Sequence, residues 1–332
     1  RIMNWIERGW YGQHKQTFWL LPLSLVFFVI SVIRKLLFNL GVLKVNRANI
    51  PVIVVGNITV GGTGKTPFVL YLIEVLRRLG LKPAVVSRGY GAEHQVSEFP
   101  RLVEKATPVH MSGDEPKLIA MRGGCPVVIS PKRSEAVKFV AENTQANVII
   151  SDDGLQHYAM DRNVEIVLLD GKRLFGNGWL LPVGPLRELK SRLRSVDLVI
   201  KNLGSDESGE YHLRPGHIYS LLKPDELLEL QSVKQVHLVS GIGNPERFEN
   251  SVKQLGFAIK SKTWFPDHHS FEKEDLDQIE IADNEILLMT EKDAVKCQSF
   301  AKPSWYVLPI SAQVSNTLES QLVSIIRQKC KV

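Results

Sequence analysis

A glycine-rich loop that ends in Lys and Thr is the part of this sequence best suited to chemistry. It reads GNITVGGTGKT from Gly56 to Thr66, between a β-branched run and a helical pattern. In such a loop, successive backbone N–H groups point toward a bound anion, and the helix dipole favours negative charge there. The Lys65 ammonium would reach the β- and γ-phosphates of ATP, and the Thr66 hydroxyl would bind Mg²⁺. The predicted nucleotide-binding residues are Thr59, Val60, Gly61, Gly62, Thr63, Gly64, Lys65 and Thr66.

The loop departs from the strict phosphate-loop pattern at one position. That pattern, G-x-x-x-x-G-K-[ST], requires glycine at position 59, where this chain has Thr59, and the glycines are moved to Gly61 and Gly62. A glycine-rich turn that begins an ordinary helix is the alternative. Loop, Lys and hydroxyl occur together after a strand, and this combination favours phosphate binding.

Two adjacent carboxylates, Asp152 and Asp153, follow another apolar run. An Asp-Asp-Gly sequence by itself is typical of a turn. Here, however, the two carboxylates follow a buried strand downstream of a phosphate loop. Beside ATP they would repel each other unless a cation or an imidazole compensates their charge, and Mg²⁺ is the natural companion of ATP. We therefore predict a Mg²⁺ site formed by Thr66, Asp152 and Asp153.

An alternation of short apolar runs and helical segments would position these motifs. Besides the run before Asp152, strands are predicted at 51–55, 84–87, 127–130, 164–170 and 198–201, and helices at 65–79, 115–122 and 132–143. This order predicts an α/β protein with a doubly wound, mostly parallel sheet whose ligands bind at the carboxyl ends of the strands. Arg88–Tyr90, Lys132–Arg133 and Asp170 follow such ends and are expected to converge on one crevice.

The second half of the chain has its own strand and helix signals. Gly, Ser and Pro clusters around two short extended runs predict a β-hairpin linker, and the later alternation predicts a second, smaller α/β domain. The predicted units are a membrane-associated segment 1–46, a P-loop domain 47–205, a hairpin linker 206–225 and the smaller domain 226–332. The segment TEKD at 290–293 is predicted to be a loop after a strand, with Lys292 and Lys296 considered as substrate contacts.

The N-terminal segment carries the whole formal charge of +6. Residues 1–50 contain seven Lys and Arg against one Glu, so the remainder of the chain is electrically balanced. The stretch 18–33 has no charged residue, and it would form a helix of about 24 Å. A basic segment beside an apolar one favours an anionic membrane surface over nucleic acid as the partner. Whether the segment spans the membrane or lies in one leaflet stays open, with a signal peptide and a buried helix as alternatives.

Composition excludes several classes of protein. The chain has 332 residues, of which 44% are hydrophobic and 23% charged, so a disordered or low-complexity protein is excluded. Its three cysteines, Cys125, Cys297 and Cys330, lie far apart, which argues against a disulfide scaffold or a structural zinc site.

Seven separated motifs, taken together, resemble one known family. In chain order they are VGNITVGGTGKTP, SRGYG, GDEP, SDDGLQHY, LPVGPLRE, GIGNP and FPDHHSF. Their types and order are similar to those of the lipid A 4′-kinase (tetraacyldisaccharide 4′-kinase) family, from the N-terminal apolar segment to about residue 300. The resemblance implies Mg²⁺-dependent transfer of the ATP γ-phosphoryl group to the 4′-hydroxyl of an acylated glucosamine disaccharide 1-phosphate. It also implies a location at the cytoplasmic face of the inner membrane of a Gram-negative bacterium.

The resemblance also implies roles for individual residues. The family's general base falls on Asp114 of GDEP, and its partner histidine falls on His268 of FPDHH. Lys65 belongs to the same catalytic set. Further residues that the resemblance places along the site are Tyr90, Glu115, Arg133, His157, Arg187 and Glu188.

Plainer interpretations of the same residues stay open at this point. Asp114 and Glu115 precede a proline and are typical of a helix N-terminus, and His268 has a neighbouring His269 that makes the register ambiguous. Two other functions are also compatible with the motifs: a membrane-anchored P-loop nucleotide switch and a kinase of a soluble acceptor.

Overall fold

A computed structural model describes residues 5–12, 17–93, 98–204, 206, 209–229, 233 and 235–331. Its helices are α1 (Trp5–Tyr11), α2 (Leu21–Asn39), α3 (Lys65–Arg78), α4 (Val109–Ser112), α5 (Asp114–Gly123), α6 (Arg133–Asn143), α7 (Pro245–Gln254), α8 (Lys273–Asp277), α9 (Glu291–Cys297) and α10 (Asn316–Cys330). Its strands are β1 (Val52–Gly56), β2 (Pro83–Ser87), β3 (Arg101–Leu102), β4 (Val127–Ile129), β5 (Val148–Asp152), β6 (Val164–Asp170), β7 (Leu198–Asn202), β8 (Tyr211–Pro215), β9 (Tyr219–Ser220), β10 (Gln235–Ser240), β11 (Ala258–Trp264), β12 (Glu285–Thr290), β13 (Trp305–Leu308) and β14 (Ile310–Val314).

The large sheet has seven strands in the order β3-β4-β2-β5-β1-β6-β7. All neighbours are parallel except the edge pair β3 and β4. Helices α3, α5 and α10 cover one face of this sheet, and α6 covers the other. Both faces must be covered because the β-branched strands carry apolar side chains on both sides. The doubly wound α/β prediction is confirmed, and the six predicted strands of this sheet match the observed ones closely.

A second, five-stranded sheet has the order β11-β10-β12-β13-β9, parallel except for β9. Its two apolar clusters are separate from those of the large sheet. The predicted smaller α/β unit thus has its own core.

The division of the chain into four units stays a prediction, but the packing differs from it at two points. The two extended runs of the predicted hairpin 206–225 do not pair with each other, since β8 pairs with β14 and β9 joins the second sheet beside β13. In addition, α10 packs its buried Leu322 and Ile326 on the large sheet although the predicted smaller domain 226–332 includes this helix. Both differences have one cause, which is that the chain returns to the first unit after β13.

Helix α2 extends the predicted apolar segment by six residues, through Arg34 and Lys35 to Asn39. With the preceding 3-10 turn it covers 22 residues, about 33 Å in length, and contains an 18-residue stretch of mean hydropathy 2.1, enough by length and composition to cross a membrane. Most of its apolar side chains are exposed, whereas Ser24 donates a hydrogen bond to the Leu180 carbonyl. Pro22 does not interrupt the helix, because it lies in the first turn, where no N–H donor is needed.

Candidate active site

The phosphate loop is held from behind by two other strands of the fold. Gly64 has a φ of +85° and precedes α3, so the first turn of α3 presents its free N–H groups to the loop. The Asn202 side-chain amide donates to the Thr63 carbonyl at 2.9 Å, and the Tyr211 hydroxyl donates to the Gly64 carbonyl at 2.8 Å. These bonds turn the carbonyls outward and leave the amides free for an anion.

Gly64→Ala is expected to weaken ATP binding and lower the melting temperature. The added Cβ would lie 2.3 Å from the Asn202 amide nitrogen, and the left-handed conformation costs an L-residue about 1–2 kcal/mol. Nucleotide titration and thermal unfolding measure both effects. Gly80→Ala is the matched control, since Gly80 has a φ of +78° but no atom within 4 Å of the new Cβ. Gly80→Ala should be destabilised only by the backbone strain and should bind ATP like the wild type. Equal ATP affinity of the two variants would contradict the role of Gly64.

Thr59 lies behind the loop rather than in it. Its side chain is buried, and it forms a β-bridge with Leu186. The neighbouring Val60 N–H donates to the Pro185 carbonyl at 2.8 Å, so the LPVGPLRE motif supports this end of the loop. The predicted positions from Val60 to Thr66 line the cavity, whereas Thr59 does not.

The two predicted aspartates lie at the end of β5 in different environments. Asp152 is buried, and neither carboxylate oxygen has a hydrogen-bond partner among the described residues. Burial raises its pKa to about 7, with a further contribution from the Glu115 charge. Asp153 is instead bound by Arg187, whose Nη1 lies 3.0 and 3.1 Å from its two oxygens, and Lys65 Nζ lies 3.5 Å away. Although burial opposes it, these cations lower the pKa of Asp153.

The donor set fits a hydrated Mg²⁺ ion. Within the described ranges no three His, Cys, Asp or Glu side chains cluster as a complete metal site. Mg²⁺ is usually held by one or two carboxylates while water and phosphate oxygens supply its other ligands. The unpartnered Asp152 oxygens and the Thr66 hydroxyl next to the loop match this requirement.

Arg133 places unsatisfied donors beside the aspartates. The guanidinium is buried, and its Nη2 donates to the Asp152 carbonyl at 3.1 Å, while Nε and Nη1 have no partner among the described groups. Burial lowers its pKa to about 10, so the side chain stays charged at neutral pH. A buried cation with two free donors is suited to binding phosphate oxygens.

The other predicted substrate residues lie at different distances from the cavity. Glu188 lines it and accepts hydrogen bonds from Gln156 and Tyr158. His157 is not among the lining residues, and burial lowers its pKa to about 4, so it is neutral at physiological pH. Asp170 and Lys132, which are predicted to converge on the same crevice, do not line the cavity: Asp170 binds Arg247 of α7 at 3.0 Å, and Lys132 pairs with Glu135.

Asp114 and His268 meet across the cleft between the two sheets. The His268 Nδ1 atom lies 3.0 and 3.2 Å from the two oxygens of Asp114, the first residue of α5. Burial would raise the pKa of Asp114, but the hydrogen bond from His268 and the charges of Lys292 and Lys296 hold it at about 2. The same bond raises the pKa of His268, and the Tyr90 ring lies 5.0 Å from the imidazole. His268 is therefore the histidine that contacts Asp114, while the neighbouring His269 binds Asp275 at 2.9 Å.

A cavity of about 1090 Å³ brings these groups together. Its lining includes the apolar side chains of Phe27, Phe28 and Ile30 on α2 as well as the phosphate loop. Of the predicted residues, it is lined by Val60, Gly61, Gly62, Thr63, Gly64, Lys65, Thr66, Tyr90, Glu115, Arg133, Asp152, Asp153, Arg187, Glu188 and His268. Asp114 is not itself a lining residue, but it binds His268, which is.

The TEKD segment differs from its prediction as a loop. Thr290 caps helix α9 by accepting a hydrogen bond from the Asp293 N–H. The helix directs Lys292 to Glu115 and Lys296 to Asp114. A Thr followed three residues later by an acidic residue is a helix-start signal that could have identified this helix.

The fold and the site together define an α/β P-loop protein that presents a nucleotide-binding loop beside a carboxylate–imidazole pair. A family model described as tetraacyldisaccharide-1-P 4′-kinase, or LpxK, matches residues 16–327. The chain therefore belongs to the tetraacyldisaccharide 4′-kinase family, as the seven motifs predicted.

Individual relatives agree with this assignment. A Psychromonas ingrahamii protein named tetraacyldisaccharide 4′-kinase is 47% identical over 329 residues, covering 97% of this chain and 99% of that protein. A Methylobacillus flagellatus protein of the same name is 43% identical over 326 residues, covering 97% and 95%. In fold, the chain is similar to LpxK from Aquifex aeolicus, described as an "apo" form in complex with ATP. The TM-score is 0.78 at 28% identity, with 93% of this chain and 99% of that one covered.

Proposed function

We propose that this protein transfers the γ-phosphoryl group of ATP to the 4′-hydroxyl of tetraacyldisaccharide 1-phosphate in lipid A biosynthesis. The observation that carries the proposal is that His268, which binds Asp114, lines the same cavity as the phosphate loop. Membership of the family and the names of its relatives support the same reaction.

ATP is proposed to bind with its phosphates on the amides of residues 61–66, because the Val60 N–H is already bonded to the Pro185 carbonyl. Lys65 would neutralise the β- and γ-phosphates, and Arg133 and Arg187 would contact the transferring group. Thr66, Asp152 and Asp153 are proposed to hold Mg²⁺, which neutralises charge on the triphosphate. Because Asp153 already binds Arg187 and Lys65, Asp152 is the more available carboxylate.

Asp114 is proposed to orient the acceptor hydroxyl and take its proton. As the new O–P bond forms and the bond from the γ-phosphorus to the β,γ-bridging oxygen breaks, ADP leaves with that oxygen and the hydroxyl proton passes to the Asp114 carboxylate. A carboxylate with a pKa of about 2 is a weak base, so it acts mainly by alignment until the hydroxyl becomes acidic late in the step. His268 fixes the carboxylate and stabilises its charge.

The acceptor is proposed to enter from the membrane side of the cavity. Helix α2 has an exposed apolar surface and also contributes residues to the cavity lining. One ligand could therefore place its acyl chains against α2 and its sugar near the phosphate loop. We propose that α2 associates with the cytoplasmic face of the inner membrane, and that Tyr90, Glu115 and Glu188 contact the sugar or phosphates. His157 does not line the cavity, so a supporting role is proposed for it.

The test is transfer of label from γ-labelled ATP to detergent-dispersed tetraacyldisaccharide 1-phosphate. Labelled bis-phosphorylated lipid is expected with Mg²⁺, and its loss is expected on chelation with restoration on adding Mg²⁺ back. Product analysis identifies the phosphorylated hydroxyl. Label found only as inorganic phosphate would favour a nucleotide switch, and label found only on a deacylated disaccharide would favour a soluble acceptor.

A further inference from the structure

Lys296 is a buried cation next to the proposed base. Its side chain is only 6% exposed, and its Nζ atom lies 3.7 Å from Asp114 Oδ2 and 3.3 Å from Asp293 Oδ1. The ammonium also lies 5.5 Å from the centroid of the Phe271 ring. Burying an ammonium is costly unless anions compensate it, so the two carboxylates account for its position.

Asp293 fixes the position of this lysine. Its carboxylate is fully buried and accepts hydrogen bonds from the Ser240 hydroxyl at 3.0 Å, the Thr290 hydroxyl at 2.7 Å and the Gly241 N–H at 3.2 Å. Three donors from two segments, together with Lys296, satisfy this carboxylate. The end of β10 and the start of α9 are therefore joined at one buried charge.

The same framework also holds His268. The His268 N–H donates to the Gly241 carbonyl at 3.1 Å, and the N–H of Gly241 is bound to Asp293. His268 has a φ of +59°, an uncommon conformation for a residue other than glycine, which this loop attachment stabilises. Lys296 and His268 are thus both attached to the end of β10 in the second sheet. Asp114, in contrast, lies on α5, which packs against the large sheet.

We infer that Lys296 is a positioning residue that aligns the Asp114 carboxylate for its proton-accepting role, a conclusion that rests on the proposed function. Because the Lys296 Nζ atom is held by Asp293 and lies 3.7 Å from Asp114 Oδ2, it acts through Asp114 and not on the substrate. The charged groups that face Asp114 are His268, Lys292 and Lys296, with Glu115 next to it on α5, and the three cations lower its pKa. Only Lys292 among the two lysines lines the cavity.

Lys296→Met is expected to lower kcat about 10- to 100-fold while leaving the KM for ATP within about twofold, because small displacements of a catalytic group have effects of this size. Lys296→Arg should recover part of the loss, since it restores the charge. Lys302→Met is the control. Lys302 pairs with Asp277 on the protein surface and does not line the cavity. If Lys296→Met fails to fold, Lys296→Gln replaces it, with a hydrogen bond to Asp293 retained.

A double-mutant cycle separates positioning from general damage. If Lys296 acts through Asp114, adding Lys296→Met to Asp114→Asn should reduce kcat by less than twofold further. Independent, multiplying losses would overturn the inference, as would an unchanged kcat or a loss confined to the KM for ATP. Failure of the proposed function is distinct, because the wild-type protein would then produce no labelled lipid.

Discussion

Replacing Lys65 with alanine is expected to reduce phosphoryl transfer by at least about 10²–10³-fold, the usual loss for one charge that stabilises a transition state. Lys65 is the first residue of α3, and its Nζ lies 3.5 Å from Asp153 with only 12% of the side chain exposed. In the proposed reaction, negative charge on the transferring group develops beside this ammonium. The measurement is kcat and kcat/KM in the labelled-lipid assay.

Lys138→Ala is the matched control for this experiment. Lys138 lies in the same unit, is 74% exposed and pairs with Glu142 on the surface of α6, so its removal should leave kcat unchanged. Lys65→Arg keeps the charge but changes the shape, and a partial rescue would separate the two contributions. Turnover of Lys65→Ala near the wild-type value would contradict the assignment of the phosphate loop.

The large sheet was predictable because its signals are local. Buried parallel strands form uninterrupted β-branched runs such as 51–55, and the carboxyl ends of such strands meet at one edge by topology. The loop, Asp152 and Arg133 could therefore be placed in one site without knowledge of the fold. The helix that follows the loop also ends within one residue of its prediction.

The pairing of distant segments was not predictable from local signals. Asp114 and His268 are separated by 154 residues, and composition or periodicity does not specify which histidine reaches which carboxylate. Only the family resemblance joined them. The hairpin prediction for 206–225 was wrong for the same reason, since an extended run does not encode its partner, and here β14 supplies it from the far end of the chain.

Buried charge was the other source of error. Asp293 and Lys296 look like surface residues of a polar turn in the sequence, yet their side chains are 0% and 6% exposed. A charged pair can be buried when hydrogen bonds satisfy it, and such bonds come from residues far away in sequence, such as Ser240. The prediction of TEKD as a loop therefore gave no indication of this buried charge pair.

Asp114→Asn is expected to lower kcat by about 10²–10⁴-fold with little change in the dissociation constant for ATP. The amide keeps the shape of the side chain and its hydrogen bond from the Glu115 N–H, which is 2.9 Å long in the wild type, but it can accept no proton. Kinetics and nucleotide titration report the two quantities separately. Asp283→Asn, on an exposed turn of the smaller unit, is the control.

His268→Ala provides the pH dependence that distinguishes a base from a structural carboxylate. In the wild type, the pKa of Asp114 is about 2, so the carboxylate is ionised throughout the measurable range and contributes no acid limb to kcat. Without His268, burial is opposed only by Lys292 and Lys296, so the pKa of Asp114 rises and kcat should fall on acidification at a higher pH than in the wild type. A profile whose acid side does not move, or an Asp114→Asn variant that loses ATP affinity as much as kcat, would place Asp114 in a structural role. The reason is that only a carboxylate whose ionised form takes part in the transfer step links its own protonation to the rate.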